Sequence, residues 1–343
     1  MSKKTELLIE ITNKCPFNCI FCSSNSNIHK NKFIKKEKLF NIIRDAKSVG
    51  IEIIQLSGGE PFLHPNILEF ISYILDEGLL LEIYTCGNIY KEGKYLPIPE
   101  KILAKYENNP GLTLRFNFQT IDKENFKKLT CNDFGMENLI ISIKNSNKYK
   151  INTEVHIIPN CQNIRELDDI IKYLLKELNI SHIKILRLIL HGRAIKNYEK
   201  LVFDEDDLYY TLSTLKRKYI NSQVEIGTAF SIYSNSCNNC QAAENKYMIT
   251  CGLKLFPCTA FKNKTNCYIE INDKLSFKKI IKYKLLNRKL QAFRENLKCG
   301  YCLNRRNCDE ICPIQKMVCN KIKQIEITKS ILKTKAYIEN ITV

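Results

Sequence analysis

The chain alternates short, nearly unbroken apolar runs with longer stretches whose apolar residues recur at helical spacing. The runs fall at Leu7 to Ile11, Ile51 to Leu56, Leu80 to Thr85, Leu112 to Phe118, Thr153 to Ile158 and His182 to Leu188. Helical patterns occupy Lys36 to Ser48, Pro65 to Leu75, Ile98 to Tyr106, parts of Asp122 to Ser146, and Ile164 to Leu178. Short runs of β-branched and aliphatic residues read as strands, and a 3.6-residue period over ten or more positions reads as a helix. Strands separated by helices of this length call for parallel crossover connections, which are right-handed. Six such units predict an α/β fold, a partial (β/α)6 TIM barrel, whose active groups sit at the carboxyl ends of the strands.

Three motifs stand at those ends. Cys15, Cys19 and Cys22 follow the first strand as C-x3-C-x2-C, with the aromatic Phe21 before the third cysteine. Ser57-Gly58-Gly59-Glu60-Pro61 follows the second strand, and Thr85-Cys86-Gly87-Asn88 the third. Soft thiolates select iron-sulfur clusters, zinc or copper(I), and four of them close a structural site. Three leave one iron of a cubane cluster open to a cofactor or substrate. Paired glycines let backbone approach a ligand closely, and a neighbouring carboxylate accepts hydrogen bonds from a cationic amine.

Together the cysteine triad and the Gly-Gly-Glu segment resemble the two hallmarks of the radical S-adenosylmethionine (SAM) enzymes. The resemblance implies a 4Fe-4S cluster on Cys15, Cys19 and Cys22, with SAM chelating the open iron. Ser57, Gly58, Gly59 and Glu60 would hold the SAM amino group, and Phe21 would line the adenine site. Asn117 and Gln119, after the fourth strand, stand where relatives carry a Ser and an Asp that reach the cofactor. Arg187, ending the sixth strand, would pair with the cofactor carboxylate or with a structural acid. The implied chemistry is reductive cleavage of SAM to a deoxyadenosyl radical, which abstracts hydrogen from the substrate.

The C-terminal region is a second cysteine framework. Cys299, Cys302, Cys308, Cys312 and Cys319 resemble the second half of a SPASM domain, and Cys237, Cys240 and the hairpin-like Lys254-Leu255-Phe256-Pro257-Cys258 its first half. Gly252 lies one residue farther from Cys258 than the usual pattern has it, with Cys251 intervening. The family pattern puts Cys299, Cys302, Cys308 and Cys319 on one auxiliary cluster and Cys237, Cys240, Cys258 and Cys312 on another. By spacing alone, two zinc sites compete with that reading. The remaining Cys86, Cys131, Cys161, Cys251 and Cys267 read as small buried hydrophobes, with Cys251 and Cys267 the exceptions their neighbourhood favours as ligands. None of the five histidines shows triad or metal-ligand spacing, and His156 in the fifth strand is the one able to face the barrel interior.

Composition changes the picture in two ways. Sixteen cysteines in a 343-residue chain that opens without a signal peptide belong to metal sites in a reducing cytoplasm, and no apolar run reaches membrane-spanning length. The net charge of +17 attracts acidic partners. Its densest stretch runs from Lys274 to Lys298, a solvated helix face or a docking face for an acidic leader peptide.

The expected organisation is a radical SAM core at 1–205, a bridge at 206–235, a SPASM-like domain at 236–325 and a tail to 343. The resemblance favours maturation of a ribosomally made peptide by thioether or carbon-carbon crosslinking, or by epimerisation. The partners would be a flavodoxin- or ferredoxin-type reductant, the peptide, and a separate leader-binding protein, since only a few residues precede the first strand. Membrane and nucleic acid are not expected partners. Two alternatives stand beside it. One is sulfatase-maturase-like oxidation of a protein Cys or Ser, against which the neutral Thr259 after Cys258 counts. The other is a non-catalytic electron carrier or metal-stabilised binding module.

Overall fold

Each predicted strand is a strand in the computed structural model, which describes residues 4–189, 191–202, 205–226, 240–262 and 266–296. In chain order the elements begin β1 (Glu6–Thr12), α1 (Lys36–Ser48), β2 (Ile53–Gly58), α2 (Ile67–Asp76) and β3 (Leu80–Thr85). A small antiparallel hairpin follows, β4 (Asn88–Lys91) and β5 (Lys94–Pro97). The sequence reading passed over it. Its turn residues Glu92 and Gly93 both have positive φ, 51° and 80°, as tight hairpin turns require.

Next come α3 (Glu100–Lys105), β6 (Leu112–Asn117), α4 (Lys123–Thr130), α5 (Gly135–Lys148), β7 (Asn152–Ile157), α6 (Leu167–Lys176) and β8 (His182–Ile185). Asp122 starts α4 by accepting the backbone N–H of Asn125 at 2.7 Å, and Cys131 stops it in the left-handed region at φ 54°. In α6 the buried residues are Leu167, Ile170, Ile171 and Leu174, one helical stripe pressed on the sheet. Full burial of each such side chain contributes about 1.5–3 kcal/mol.

The sheet runs past both expected borders of the barrel. After the short helices α7 (Arg193–Lys196) and α8 (Tyr198–Leu201), α9 (Glu205–Lys218) leads into β9 (Val224–Ile226), which pairs parallel to β8. A seventh unit therefore occupies much of the stretch read as a bridge, and 205 is not where the sheet ends. At the other edge, β10 (Lys246–Ile249) lies parallel to β1 and carries the antiparallel β11 (Lys254–Phe256) and β12 (Ile269–Glu270). The described part of the cysteine-rich region is thus built onto the barrel sheet, whose order is β12-β11-β10-β1-β2-β3-β6-β7-β8-β9.

The basic stretch forms α10 (Phe277–Lys282) and α11 (Leu285–Glu295). They bury Phe277, Ile280, Leu286 and Leu290 and leave Lys278, Lys279, Lys282, Arg288 and Lys289 in solvent. No helix among the described residues is long and apolar enough to cross a membrane.

Alternation along the strands separates two environments. Leu7, Ile9, Ile11, Ile54, Leu56, Leu81, Ile83, Leu114, Phe116, Val155 and Ile157 are at most 1% exposed and join the helices in one core. The opposite face carries a polar belt. Lys246 meets Glu6 at 2.9 Å, and the Gln55 amide donates to Glu6 at 3.0 Å and to Glu82 at 2.6 Å. Arg115 donates to Glu82 and to the Tyr84 hydroxyl, both at 2.8 Å, and also meets Glu154. Lys184 reaches Glu154 at 2.7 Å. Charges this well enclosed are tolerated because each carboxylate finds a cation or an amide.

Candidate functional site

The loop that follows β1 is held from several sides. Cys15 N–H donates to the Asn27 carbonyl at 3.1 Å, and a turn brings Cys22 N–H to the Cys19 carbonyl at 3.2 Å. Asn18 and Ile20 donate to the carbonyls of Thr130 and Leu129 at the end of α4. Phe17 is buried and meets Phe126 edge-on with ring centroids 5.8 Å apart. Phe21 is buried with Leu129, Ala194 and Leu201, against Cys19, Ile158 and Leu188, so it anchors the loop over the barrel rim.

The Gly-Gly-Glu segment is seated against this loop. Gly59 N–H donates to the Thr12 carbonyl at 2.7 Å, and Glu60 N–H to the Lys14 carbonyl at 2.8 Å. A Cβ on Gly58, whose φ is +123°, would stand 2.1 Å from the Thr12 oxygen; one on Gly59 would stand 1.9 Å from the Lys14 oxygen. Both glycines are therefore required by the approach of the cysteine loop itself. The sequence reading gave that requirement to a ligand.

Glu60 is fully buried. Its carboxylate accepts the N–H groups of Phe62 at 3.1 Å and Cys86 at 2.8 Å and the Thr85 hydroxyl at 2.9 Å. Burial pushes its carboxyl up to about 7, against the lowering effect of those donors. Cys86 stands between Cys15 and Glu60. Its thiol is raised by burial, by its hydrogen bond with Cys15 and by the Glu60 charge.

Cys19 is raised by burial and by the nearby Cys15 and Cys22 thiols, and lowered by the Arg193 charge. Three thiols within electrostatic reach of one another repel when ionised, and a cationic metal centre relieves that repulsion. No three His, Cys, Asp or Glu side chains among the described residues meet as the ligands of a single ion would. A cluster that gives each thiolate its own iron asks for wider spacing. The residues present fit such a cluster: a backbone cradle closed by two glycines, three soft donors, and a carboxylate beside them.

The other candidates divide. Gln119 is buried and staples β6 to β7, donating to the His156 carbonyl at 3.2 Å and accepting Ile158 N–H at 2.9 Å. Asn117 accepts the Gln119 amide and is half-buried. Arg187 is half-buried just past β8. His156 is a core residue bonded to Glu154 and edge-on to Tyr84 at 5.4 Å, its imidazolium disfavoured by burial.

In the C-terminal region, Ala243 N–H donates to the Pro257 carbonyl at 2.9 Å, which brings the segments of Cys240 and Cys258 together. The extra residue between Gly252 and Cys258 is absorbed in the β10–β11 turn, where Leu253 takes φ 62°. Cys237, Cys299, Cys302, Cys308, Cys312 and Cys319 lie outside the described residues. Cys267 is buried and Cys86 and Cys251 are half-buried, whereas Cys131 and Cys161 are exposed, Cys131 because it caps a helix end at the surface.

Sequence reasoning missed two features. Glu10 of β1, buried beside Gly58, pairs with buried Lys262 from the turn after Cys258 and accepts the Ser24 hydroxyl at 2.8 Å. Arg193, six residues past the arginine singled out by the sequence, grips the cysteine loop. Its Nε donates to the Cys19 carbonyl at 2.7 Å, its Nη2 to the Ser26 carbonyl at 2.7 Å and its Nη1 to Asn25 at 3.2 Å. A glycine directly before an arginine, just beyond the last predicted strand, was the available signal.

Residues 9–174 match the model of the Radical SAM superfamily. The triad loop at the barrel mouth lies within the matched segment, and the two together support a radical SAM enzyme. Its fold is the α/β radical SAM partial barrel, with a C-terminal cysteine-containing region resembling that of SPASM maturases. In sequence it is 25% identical over 241 residues to the GTP 3',8-cyclase of Synechocystis sp., covering 68% of each chain. It is 29% identical over 171 residues to the probable GTP 3',8-cyclase of Methanocaldococcus jannaschii, covering 49% of this chain and 54% of that one.

In structure it is similar to Streptococcus suis SuiB bound to S-adenosylmethionine. The TM-score is 0.71 at 18% identity, over 92% of this chain and 74% of SuiB. It is also similar to anSMEcpe with bound AdoMet and Kp18Cys peptide, with a TM-score of 0.62 at 15% identity, over 89% of this chain and 88% of that one.

Proposed function

We propose that this enzyme modifies a peptide or small protein by hydrogen abstraction at the barrel mouth. The observation that carries the reading is the extent of the likeness: the fold of SuiB is followed over 92% of the chain, well beyond the barrel. SuiB has also been solved with precursor peptide SuiA, and anSMEcpe with peptides. When bound on Cys15, Cys19 and Cys22, the cluster supplies the single electron that cleaves SAM.

The rest falls to the protein. Ser57 to Glu60 hold the cofactor's amino group, with the Glu60 carboxylate as acceptor. Asn117 and Arg187 stand at the ends of β6 and β8, where cofactor or substrate arrives. Cys240 and Cys258, with the cysteines outside the described residues, would hold auxiliary clusters, which would supply a one-electron acceptor. An oxidative crosslink, which releases one electron as its bond forms, suits such an acceptor; an epimerisation would instead need a hydrogen atom returned to the substrate carbon.

A second reading is favoured by the sequence relatives, whose names specify GTP as substrate: a nucleotide would occupy the mouth in place of a side chain. Both readings meet one experiment. Protein reconstituted and reduced without oxygen is given SAM and assayed for 5′-deoxyadenosine, alone, with GTP, and with short peptides encoded beside its gene. Stimulation by one such peptide, with a mass change in it, supports the proposal. Stimulation by GTP alone replaces it with the nucleotide reading, and absence of deoxyadenosine from iron-loaded protein removes both.

A further inference from the structure

The segment after β8 returns across the barrel mouth and straps the cysteine loop. Gly192 enters it at φ +56°, with its Cα so close that a Cβ would lie 2.6 Å from the Cys22 carbonyl oxygen and 2.7 Å from that of Ser23. Arg193 N–H donates to the Cys22 carbonyl at 3.0 Å, and its guanidinium reaches Cys19, Asn25 and Ser26. Asn197 donates to the Ile20 carbonyl at 3.3 Å. His191 contacts the Ala260 carbonyl at 2.7 Å, two residues from Cys258. One short strap therefore holds carbonyls on both sides of Cys22 and ties the loop to the C-terminal region.

Five fixed donors make guanidinium suited to pinning several carbonyls at once, and it stays charged at every accessible pH. The charge sits half-buried, where screening by solvent is reduced. Adding an electron to a cluster adds negative charge, and cluster potentials depend on net charge, hydrogen bonding and exposure. A fixed cation beside one ligand therefore favours the reduced state.

We propose that Arg193 is the positioning residue of the cysteine loop, holding Cys19 and Cys22 in place for the cluster and raising that cluster's reduction potential. The inference rests on reading Cys15, Cys19 and Cys22 as cluster ligands. It is tested on full-length protein reconstituted without oxygen, comparing wild type, R193Q, R193K and N25D. The readouts are iron per chain, circular dichroism and an EPR-monitored redox titration of the signal that changes when SAM is added.

R193Q should lower the midpoint by about 59 mV or more, a tenfold shift in a one-electron equilibrium. R193K, which keeps the charge and loses the fork, should hold less iron while titrating nearer to wild type. N25D keeps a side-chain oxygen within reach of Nη1 while offsetting the charge, and should lower the midpoint by less than R193Q does. A folded R193Q that takes up no cluster supports the positioning role, and N25D then decides the effect of charge. Full iron content with wild-type midpoints in R193Q and N25D overturns the proposal. A wild-type protein lacking the SAM-responsive signal overturns the earlier cluster assignment instead.

Discussion

The Glu60 carboxylate accepts the backbone N–H of Cys86 at 2.8 Å, which ties the loop after β2 to the end of β3. The residue that would receive the cofactor's amino group also holds together two strand ends at the barrel mouth. Its ionisation therefore reports on both folding and binding.

Burial raises the Glu60 carboxyl from 4.5 to about 7. A carboxyl raised in the folded state contributes stability that is fully present below pH 4.5 and is lost as pH rises through about 7. Against E60Q, wild type should lose on the order of 3 kcal/mol across that window, measured as denaturation midpoints from pH 4.5 to 8. If the proposed amino contact is made, calorimetry should show SAM binding tightening as pH passes through about 7. A pH-independent difference between wild type and E60Q would remove the argument.

Gly59 admits no side chain, since its Cβ would lie 1.9 Å from the Lys14 carbonyl oxygen. Gly59→Ala must push the cysteine loop away from β2, at a cost of about 1–3 kcal/mol by the usual scale of overpacking. Iron content should fall along with deoxyadenosine release, while Gly93→Ala in the exposed hairpin turn leaves both unchanged. Equal iron loading in the two variants would show that the loops do not need this approach.

Cys19→Ala tests the triad directly. Its thiol lies within electrostatic reach of Cys15, Cys22 and Arg193, in a loop outside every strand and helix. The variant should keep its circular dichroism and thermal midpoint, lose the SAM-responsive EPR signal and release no deoxyadenosine. A fully active C19A would exclude the triad as the cluster site.

The polar belt predicts an acid response. Burial pushes Glu154 up, but the His156 hydrogen bond and the charges of Arg115, His156 and Lys184 overcome it and hold the carboxyl down at about 2. That contribution is present above pH 4.5 and lost as pH falls toward 2. Arg115→Ala leaves Glu82 with only the Gln55 amide and Glu154 with Lys184 and His156, and should destabilise by about 3 kcal/mol in urea titrations at pH 7. A smaller loss at pH 7 than at pH 3 would contradict the pairing.

The barrel and the places of its motifs were legible in the sequence because both rest on local signals. A strand such as Leu80–Thr85 declares itself through consecutive apolar residues, and three closely spaced cysteines share a loop wherever that loop goes. Positions whose meaning lies in a distant partner were not legible. The sequence read Gly58 and Gly59 as room for a ligand, whereas their neighbours are the carbonyls of Thr12 and Lys14. It did not single out Arg193, because only the chain's return across the barrel mouth decides which arginine meets Cys19.

The amino-acid sequence by itself determined the order of the six core strand–helix units, the spacing of the cysteine triad and the carboxyl-end placement of the motifs, all set by near-neighbour spacing. Tertiary structure alone decided that β9 and β10 extend the sheet, that Glu10 meets Lys262 across 252 positions, and that Gln119 staples two strands. Sheet pairing and buried ion pairs depend on which remote segments share the same space, and no local pattern of residues encodes that.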